Sequence, residues 1–131
     1  MIVVDTHIII WEALAPQKLS VAATQAWAQA AGQGEIFVSD ISLWEIAMLM
    51  HKERLQVNTD CQSFINLLIQ ANNLHIQPIT PQIAALSVQL TNEINQDPAD
   101  RLIAATALSQ KMPLITADRN LQAAVTIHTI W

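Results

Sequence analysis

Short runs of Val and Ile, too brief to be helices, recur between longer segments of helical period, and parallel strands joined by crossover helices satisfy that alternation. Strands are predicted near Ile2 to Asp5, Glu35 to Ser39, His75 to Ile79, Pro113 to Ala117 and Thr126 to Ile130. Helices are predicted near Thr6 to Leu14, Ser20 to Ala31, Ile41 to Lys52, Asp60 to Asn72, Pro81 to Asn92, Pro98 to Gln110 and, briefly, Arg119 to Ala124. The punctuation agrees. Gly32-Gln33-Gly34 closes a helix before a strand, and Pro81 and Pro98 each follow a capping residue, Thr80 and Asp97. No repeat, low-complexity stretch or linker interrupts the pattern, so one α/β domain over residues 1–131 is expected.

Composition narrows the function. With 52% hydrophobic and 13% charged residues, a chain of 131 has material for a core and is not disordered. Two glycines, Gly32 and Gly34, leave nothing for a phosphate-binding glycine loop or a dinucleotide fingerprint. Six Lys or Arg against eleven Asp or Glu give a net charge of −5, which opposes bulk electrostatic binding of nucleic acid. A nucleic-acid role would need a cation or a basic partner, with steering from local basic residues such as Lys52, Arg54, Arg101 and Arg119. A single cysteine, Cys61, excludes an internal disulfide. No apolar run approaches the roughly 18 to 20 residues of a membrane span, and Met1-Ile2-Val3-Val4-Asp5 lacks a basic signal-peptide region, so a cytoplasmic chain is expected.

Two helices differ in their faces. Cys61, Phe64, Ile65, Leu68 and Ile69 form one stripe suited to packing on a sheet. The segment Ile41 to Met50, with Leu43, Trp44, Ile46, Ala47, Met48 and Leu49, has almost no polar side and must be covered on more than one face, by the fold or by a partner.

Open parallel sheets bind ligands at the carboxyl ends of their strands, and four acids fall at that edge. Asp5 ends the first strand, Asp118 follows the fourth, and Glu45 and Asp100 lie in the first turns of the helices at Ile41 and Pro98. Each has a structural explanation when taken alone: Ser42 to Glu45 has capping-box spacing, Asp97 to Asp100 suits the Pro98 helix, and Asp5 and Asp118 suit N-caps. Together they carry a cost. Two carboxylates about 4 Å apart repel by roughly 4 kcal/mol at an effective dielectric of 20, and a divalent cation offsets that. An all-oxygen donor set favours Mg²⁺ or Mn²⁺ over zinc. Such an ion activates water and polarises a phosphate, the logic of a metal-dependent nuclease.

Other constellations are weaker. His7, His51, His75 and His128 fall in different elements without ligand spacing, and Ser39, Ser42 and Cys61 lie in no nucleophile context. Trp11, Trp27, Trp44 and Trp131 are possible platforms for bases, with Trp11 favoured because its helix starts beside Asp5.

The runs Val3-Val4-Asp5-Thr6-His7, Ser39-Asp40-Ile41-Ser42-Leu43-Trp44-Glu45-Ile46-Ala47, Asp97-Pro98-Ala99-Asp100-Arg101-Leu102-Ile103-Ala104-Ala105 and Thr116-Ala117-Asp118-Arg119-Asn120 together resemble the PIN domain of VapC-type toxins, over essentially the whole chain. The resemblance implies a three-layer α/β/α sandwich on a five-stranded parallel sheet of order 3-2-1-4-5, with the first and fourth strands adjacent. It further implies an Mg²⁺- or Mn²⁺-dependent endoribonuclease, a homodimer held inactive by a cognate antitoxin, and 5′-phosphate and 3′-hydroxyl products. Residue by residue, the family's acids fall on Asp5, Glu45, Asp100 and Asp118. Asp5 and Asp100 are the direct metal ligands so implied, Glu45 and Asp118 serve a second ion or water, and Thr6 and Thr116 match accessory polar positions that would contact substrate. One departure stands out. Where the similar subgroup reads His-Arg-Asp-Pro-Phe-Asp-Arg, this chain has Asn95-Gln96-Asp97-Pro98-Ala99-Asp100-Arg101, which leaves Arg101 and Arg119 as the nearest cations for a phosphate. The expectation is therefore a ribonuclease toxin acting by metal-assisted water attack. The alternatives are an acidic protein-interaction module of the same fold, and a phosphatase of small esters.

Overall fold

A computed structural model describes residues 1–94 and 96–131; Asn95, quoted above in the segment that departs from the related motif, lies outside the described residues. The chain alternates as expected: β1 (Ile2–Val4), α1 (Thr6–Leu14), α2 (Val21–Gln33), β2 (Ile36–Ser39), α3 (Ile41–His51), α4 (Cys61–Asn72), β3 (His75–Gln77), α5 (Pro81–Gln89), α6 (Pro98–Gln110), β4 (Leu114–Ile115), α7 (Arg119–Ala123) and β5 (Thr129–Ile130). Every strand pair is parallel and the order is β3-β2-β1-β4-β5. The chain therefore starts at the centre, winds outward through β2 and β3, and returns to the other side of β1. The reversal falls between β1 and β4, where Val4 pairs with Ile115, and that is where a sheet of this kind opens a crevice.

The pleat divides the core. Ile2 and Val4 point to one face of the sheet and Val3 to the other, as the two-residue period requires. One layer packs Ile8 and Ile9 of α1, Trp27 of α2, Ile46 of α3 and Phe64 and Leu68 of α4 on that first face. The opposite layer packs Ile83 of α5, Ile103 and Ala104 of α6 and Leu121 of α7 around Val3 and Leu114. The stripe foreseen at Cys61, Phe64, Ile65, Leu68 and Ile69 is the one that faces the core, with Phe64 and Leu68 buried. Among the described residues, no helix is long and apolar enough to cross a membrane.

Three local expectations change. The β4 strand stops at Ile115 rather than Ala117 because Thr116 turns its hydroxyl to local work, accepting from the Asp118 N–H at 3.0 Å. Pro113, without an N–H, precedes the strand and joins the pairing only through its carbonyl, which accepts from the Val3 N–H at 2.9 Å. The helix expected to end at Ala31 runs to Gln33, so Gly34 alone makes the turn, at φ +67°. A β-carbon at Gly34 would also sit 2.9 Å from the side-chain amide nitrogen of Asn73. Gly34→Ala is expected to cost about 1–2 kcal/mol in urea unfolding; an unchanged midpoint would contradict this account of the turn.

Candidate functional site

Asp5 leaves β1 and caps α1. Its backbone N–H donates to the Ile115 carbonyl at 3.0 Å, which fixes the residue beside β4. Its Oδ1 accepts from the Thr6 N–H at 2.7 Å and its Oδ2 from the Thr116 hydroxyl at 2.7 Å. The side chain is only 7% exposed. Burial raises its pKa above the ordinary 3.8, the hydrogen bonds from Thr116 and Thr6 and the nearby His7 pull against that rise, and Asp118 adds to it.

Glu45 enters from α3. Its Oε1 takes the Thr6 hydroxyl at 2.5 Å, and the same Thr6 oxygen lies 2.8 Å from the Ser42 hydroxyl. Thr6 has one hydroxyl proton, so when it donates to Glu45 the Ser42 hydroxyl must donate to Thr6. The capping box expected from Ser42 and Glu45 is absent: α3 starts at Ile41 with Asp40 at its N-cap and no side-chain cap bond, so Ser42 already lies inside the helix, where a threonine from α1 engages both residues. Burial is also the main cause of a raised Glu45 pKa; the Thr6 bond lowers it, while Asp5 and Asp97 raise it further.

Asp118 follows β4 and caps α7, accepting from the Leu121 N–H at 3.0 Å. Asp97 caps α6 through the Ala99 N–H at 3.0 Å, and Asp100 lies in that helix's first turn. All these acids meet. A cavity of about 320 Å³ at the β1/β4 reversal is lined by Asp5, Glu45, Asp97, Asp100 and Asp118, with His7 and Trp11 on one wall. The structure thus brings the four expected acids together and adds Asp97, which the sequence marks as a cap; here a cap and a cavity wall are the same residue.

Other expectations shift. Thr6 and Thr116, expected at the substrate, are 1% and 0% exposed and spend their hydroxyls on Glu45 and Asp5. They position acids. Neither Arg101 nor Arg119 lines the acid cavity. The cations that border it belong to the α1 and α3 side: Lys52 and Arg54 line an adjoining apolar groove with Trp44 and Met48, and Lys18 lies beyond Trp11.

The donor set suits a hard divalent ion. Every carboxylate in the cavity offers oxygen donors, no Lys or Arg is among its described lining residues, and the buried Asp5 has two hydrogen bonds and the nearby His7 to offset its charge. Among the described residues no three His, Cys, Asp or Glu side chains stand close enough to enclose an ion unaided. That matches Mg²⁺, which keeps several waters and takes one or two carboxylates, better than a closed structural site.

Comparison with known proteins places this geometry in context. Residues 2–126 match the PIN domain family. The chain is 38% identical over 122 residues to Ribonuclease VapC22 of Mycobacterium tuberculosis (strain ATCC 25618 / H37Rv), covering 93% of this chain and 90% of the relative. Among solved structures, VapBC2 from Rickettsia felis bound to a DNA fragment from its promoter superposes with a TM-score of 0.73 at 18% identity, over 98% of this chain and 97% of that one. A toxin-antitoxin complex from Klebsiella pneumoniae gives 0.66 at 23% identity, over 97% and 95%.

Proposed function

The chain belongs to the PIN-domain family, and on that premise we propose that its acid cavity hydrolyses RNA phosphodiester bonds with the help of Mg²⁺ or Mn²⁺. It is a ribonuclease of the VapC type, the toxin of a toxin-antitoxin pair, and an antitoxin is its protein partner. The observation that carries the reading is a buried carboxylate, Asp5, sharing one cavity with four other acids and no Lys or Arg. A homodimer acting in the cytoplasm completes the proposal. The exposed Trp44 on the apolar α3 supports a docking face for the antitoxin there.

Asp5 and Asp100 would hold the ion, with Glu45 and Asp118 serving a second ion or water. When bound, it supplies a Lewis acid for the phosphoryl oxygens and lowers the pKa of water. The protein's residues do the rest. Glu45 has one oxygen on Thr6, and its raised pKa brings it nearer neutrality, where a general base works best; its second oxygen takes the proton of the attacking water. The water oxygen bonds to phosphorus as the bond to the 3′ oxygen breaks, and that oxygen takes a proton from solvent, giving a 5′-phosphate and a 3′-hydroxyl. Asp118, tied to α7, and Asp5, tied to β4 and α1, hold the acids on rigid elements while this occurs.

The test is end chemistry. Single-stranded RNA incubated with the protein and Mg²⁺ should yield 5′-phosphate ends and be spared in EDTA; 2′,3′-cyclic phosphates or cleavage in EDTA would refute the mechanism. Thr6→Val should lower kcat by about 10- to 100-fold, the usual scale for a residue supporting a metal site, and cost about 1–2 kcal/mol of stability by leaving Ser42 and Glu45 without their partner. Thr6→Ser should restore most of both. Equal kinetics in Thr6→Val would remove Thr6 from the machinery.

A further inference from the structure

His7 and Trp11 are one helical turn apart on α1, their ring centroids 5.8 Å apart and tilted by 54°. Both line the acid cavity, and both also line a second cavity of about 490 Å³. The two cavities differ in charge. The first carries the carboxylates; the second has Lys18 and Arg54 over apolar Leu49 and Leu55, and no acid in its lining. The Lys18 ammonium lies 5.7 Å over the Trp11 ring, and the Trp131 ring is 6.1 Å away. Trp11 is not a core residue. It is only partly buried, whereas Trp27 is 5% exposed inside the core.

We propose that the His7–Trp11 wall is a base-stacking subsite that holds the nucleotide next to the bond being cut, with Lys18 and Arg54 receiving the adjoining phosphate. The inference rests on the ribonuclease reading and assigns it a polarity: one phosphate lies among the acids and their ion, and the next lies among cations. A strand crossing Trp11 passes from one region to the other. A nucleobase gains more from an indole face than an exposed ammonium does, so a base displaces Lys18, whose exposed side chain is free to follow the phosphate. Stacking of this kind is tolerant of sequence, because every base has a π-face. It also supplies affinity to a chain whose net charge is −5.

Two probes of equal charge test it: a uridine hexaribonucleotide and an abasic hexamer with the same ribose-phosphate backbone, titrated in EDTA so that the bound RNA stays intact. The wild type should bind the base-bearing hexamer roughly ten-fold more tightly, within the range of one stacked base. Trp11→Leu should lose that preference and Trp11→Phe keep most of it, with circular dichroism melting to verify folding. Lys18→Gln with Arg54→Gln should weaken both hexamers alike and reduce the salt slope by about 0.7 per lost phosphate contact. With Mg²⁺, Trp11→Leu should raise KM and leave kcat near the wild-type value. The proposal fails if the wild type shows no preference for bases, if the preference survives in Trp11→Leu, or if Trp11→Leu weakens only binding of an arginine-rich peptide. A wild type that prefers bases but cuts nothing sinks the ribonuclease reading alone. One that cuts RNA with a KM indifferent to Trp11 sinks the subsite alone.

Discussion

Asp5→Asn is expected to lower metal-dependent RNA cleavage by about a thousand-fold or more, a barrier increase of about 4 kcal/mol. The substitution is nearly isosteric, and the structure says why the variant should still fold. The Oδ1 oxygen that accepts from Thr6 is retained. The new amide faces the Thr116 hydroxyl, which can rotate to accept while continuing to take the Asp118 N–H. What is lost is the buried negative charge, and with it the ligand on which the proposed ion depends. Loss of activity through misfolding would look different, because it would lower the melting temperature.

Stability should move the other way. Burial raises the pKa values of Asp5 and Glu45 above 3.8 and 4.5. A carboxylate whose pKa is higher in the folded state contributes stability that is fully present below its ordinary pKa and is lost as pH rises through the folded value. Without divalent ions, the protein should therefore gain stability as pH falls from neutrality toward that range, and Asp5→Asn should flatten the profile. At neutral pH, Mg²⁺ should raise the wild-type melting temperature and leave Asp5→Asn nearly unmoved. Thermal melts across pH, with Mg²⁺ or EDTA, check both signs; a wild type indifferent to Mg²⁺ would count against the ion.

The second large effect is expected at Trp44. This tryptophan is 58% exposed on α3, a helix with only Ser42 and Ile46 buried. It stands over a largely apolar groove of about 590 Å³ whose rim carries Lys52 and Arg54 and which reaches Glu45. An exposed aromatic beside such a groove has the character of an interface hot spot, where truncation costs about 2 kcal/mol or more. Trp44→Ser should therefore weaken antitoxin binding by roughly 30-fold or more. Its effect on the free protein's stability should stay within about 0.5 kcal/mol, as for a surface position. Calorimetric titration with the co-expressed antitoxin measures the first and urea unfolding the second. Undiminished affinity, with a shift from dimer to monomer in sedimentation, would assign α3 to the homodimer instead.

Much of this molecule is legible in local pattern, and the parts that are not have a common cause. The alternation of Val and Ile runs with helices identifies the strands most clearly where they are covered on both faces, as β1, β2 and β4 are, while the edge strands β3 and β5 are only partly covered. Their order is another matter: nothing in the spacing says that β4 returns beside β1, and it was the likeness to a known family that implied it. Asp5, Asp100 and Asp118 are legible because each sits at an element boundary at the same sheet edge, with Glu45 just past the first turn of α3, and they do line one cavity. Ser42 and Glu45 mislead because capping-box spacing is local, whereas the hydroxyl that claims them comes from Thr6 on α1. Thr116 misleads likewise, its partner Asp5 lying 111 positions away in sequence. Arg101 and Arg119 are near the acids in sequence, yet Arg54 and Lys18 reach the cavity's flank through the packing of α1 against α3. The apolar character of α3, by contrast, is visible in the sequence, and the structure leaves that helix half-covered.

The most direct test of the acid cavity as a metal-dependent ribonuclease centre is cleavage of total cellular RNA by the purified protein in Mg²⁺, Mn²⁺ or EDTA, beside a folded Asp5→Asn, Asp100→Asn double variant. Discrete products that require the metal and are absent with the variant are the predicted result, and their identity would reveal the RNA that is cut. Cleavage that persists in EDTA, or that the double variant performs as well as the wild type, would contradict the account.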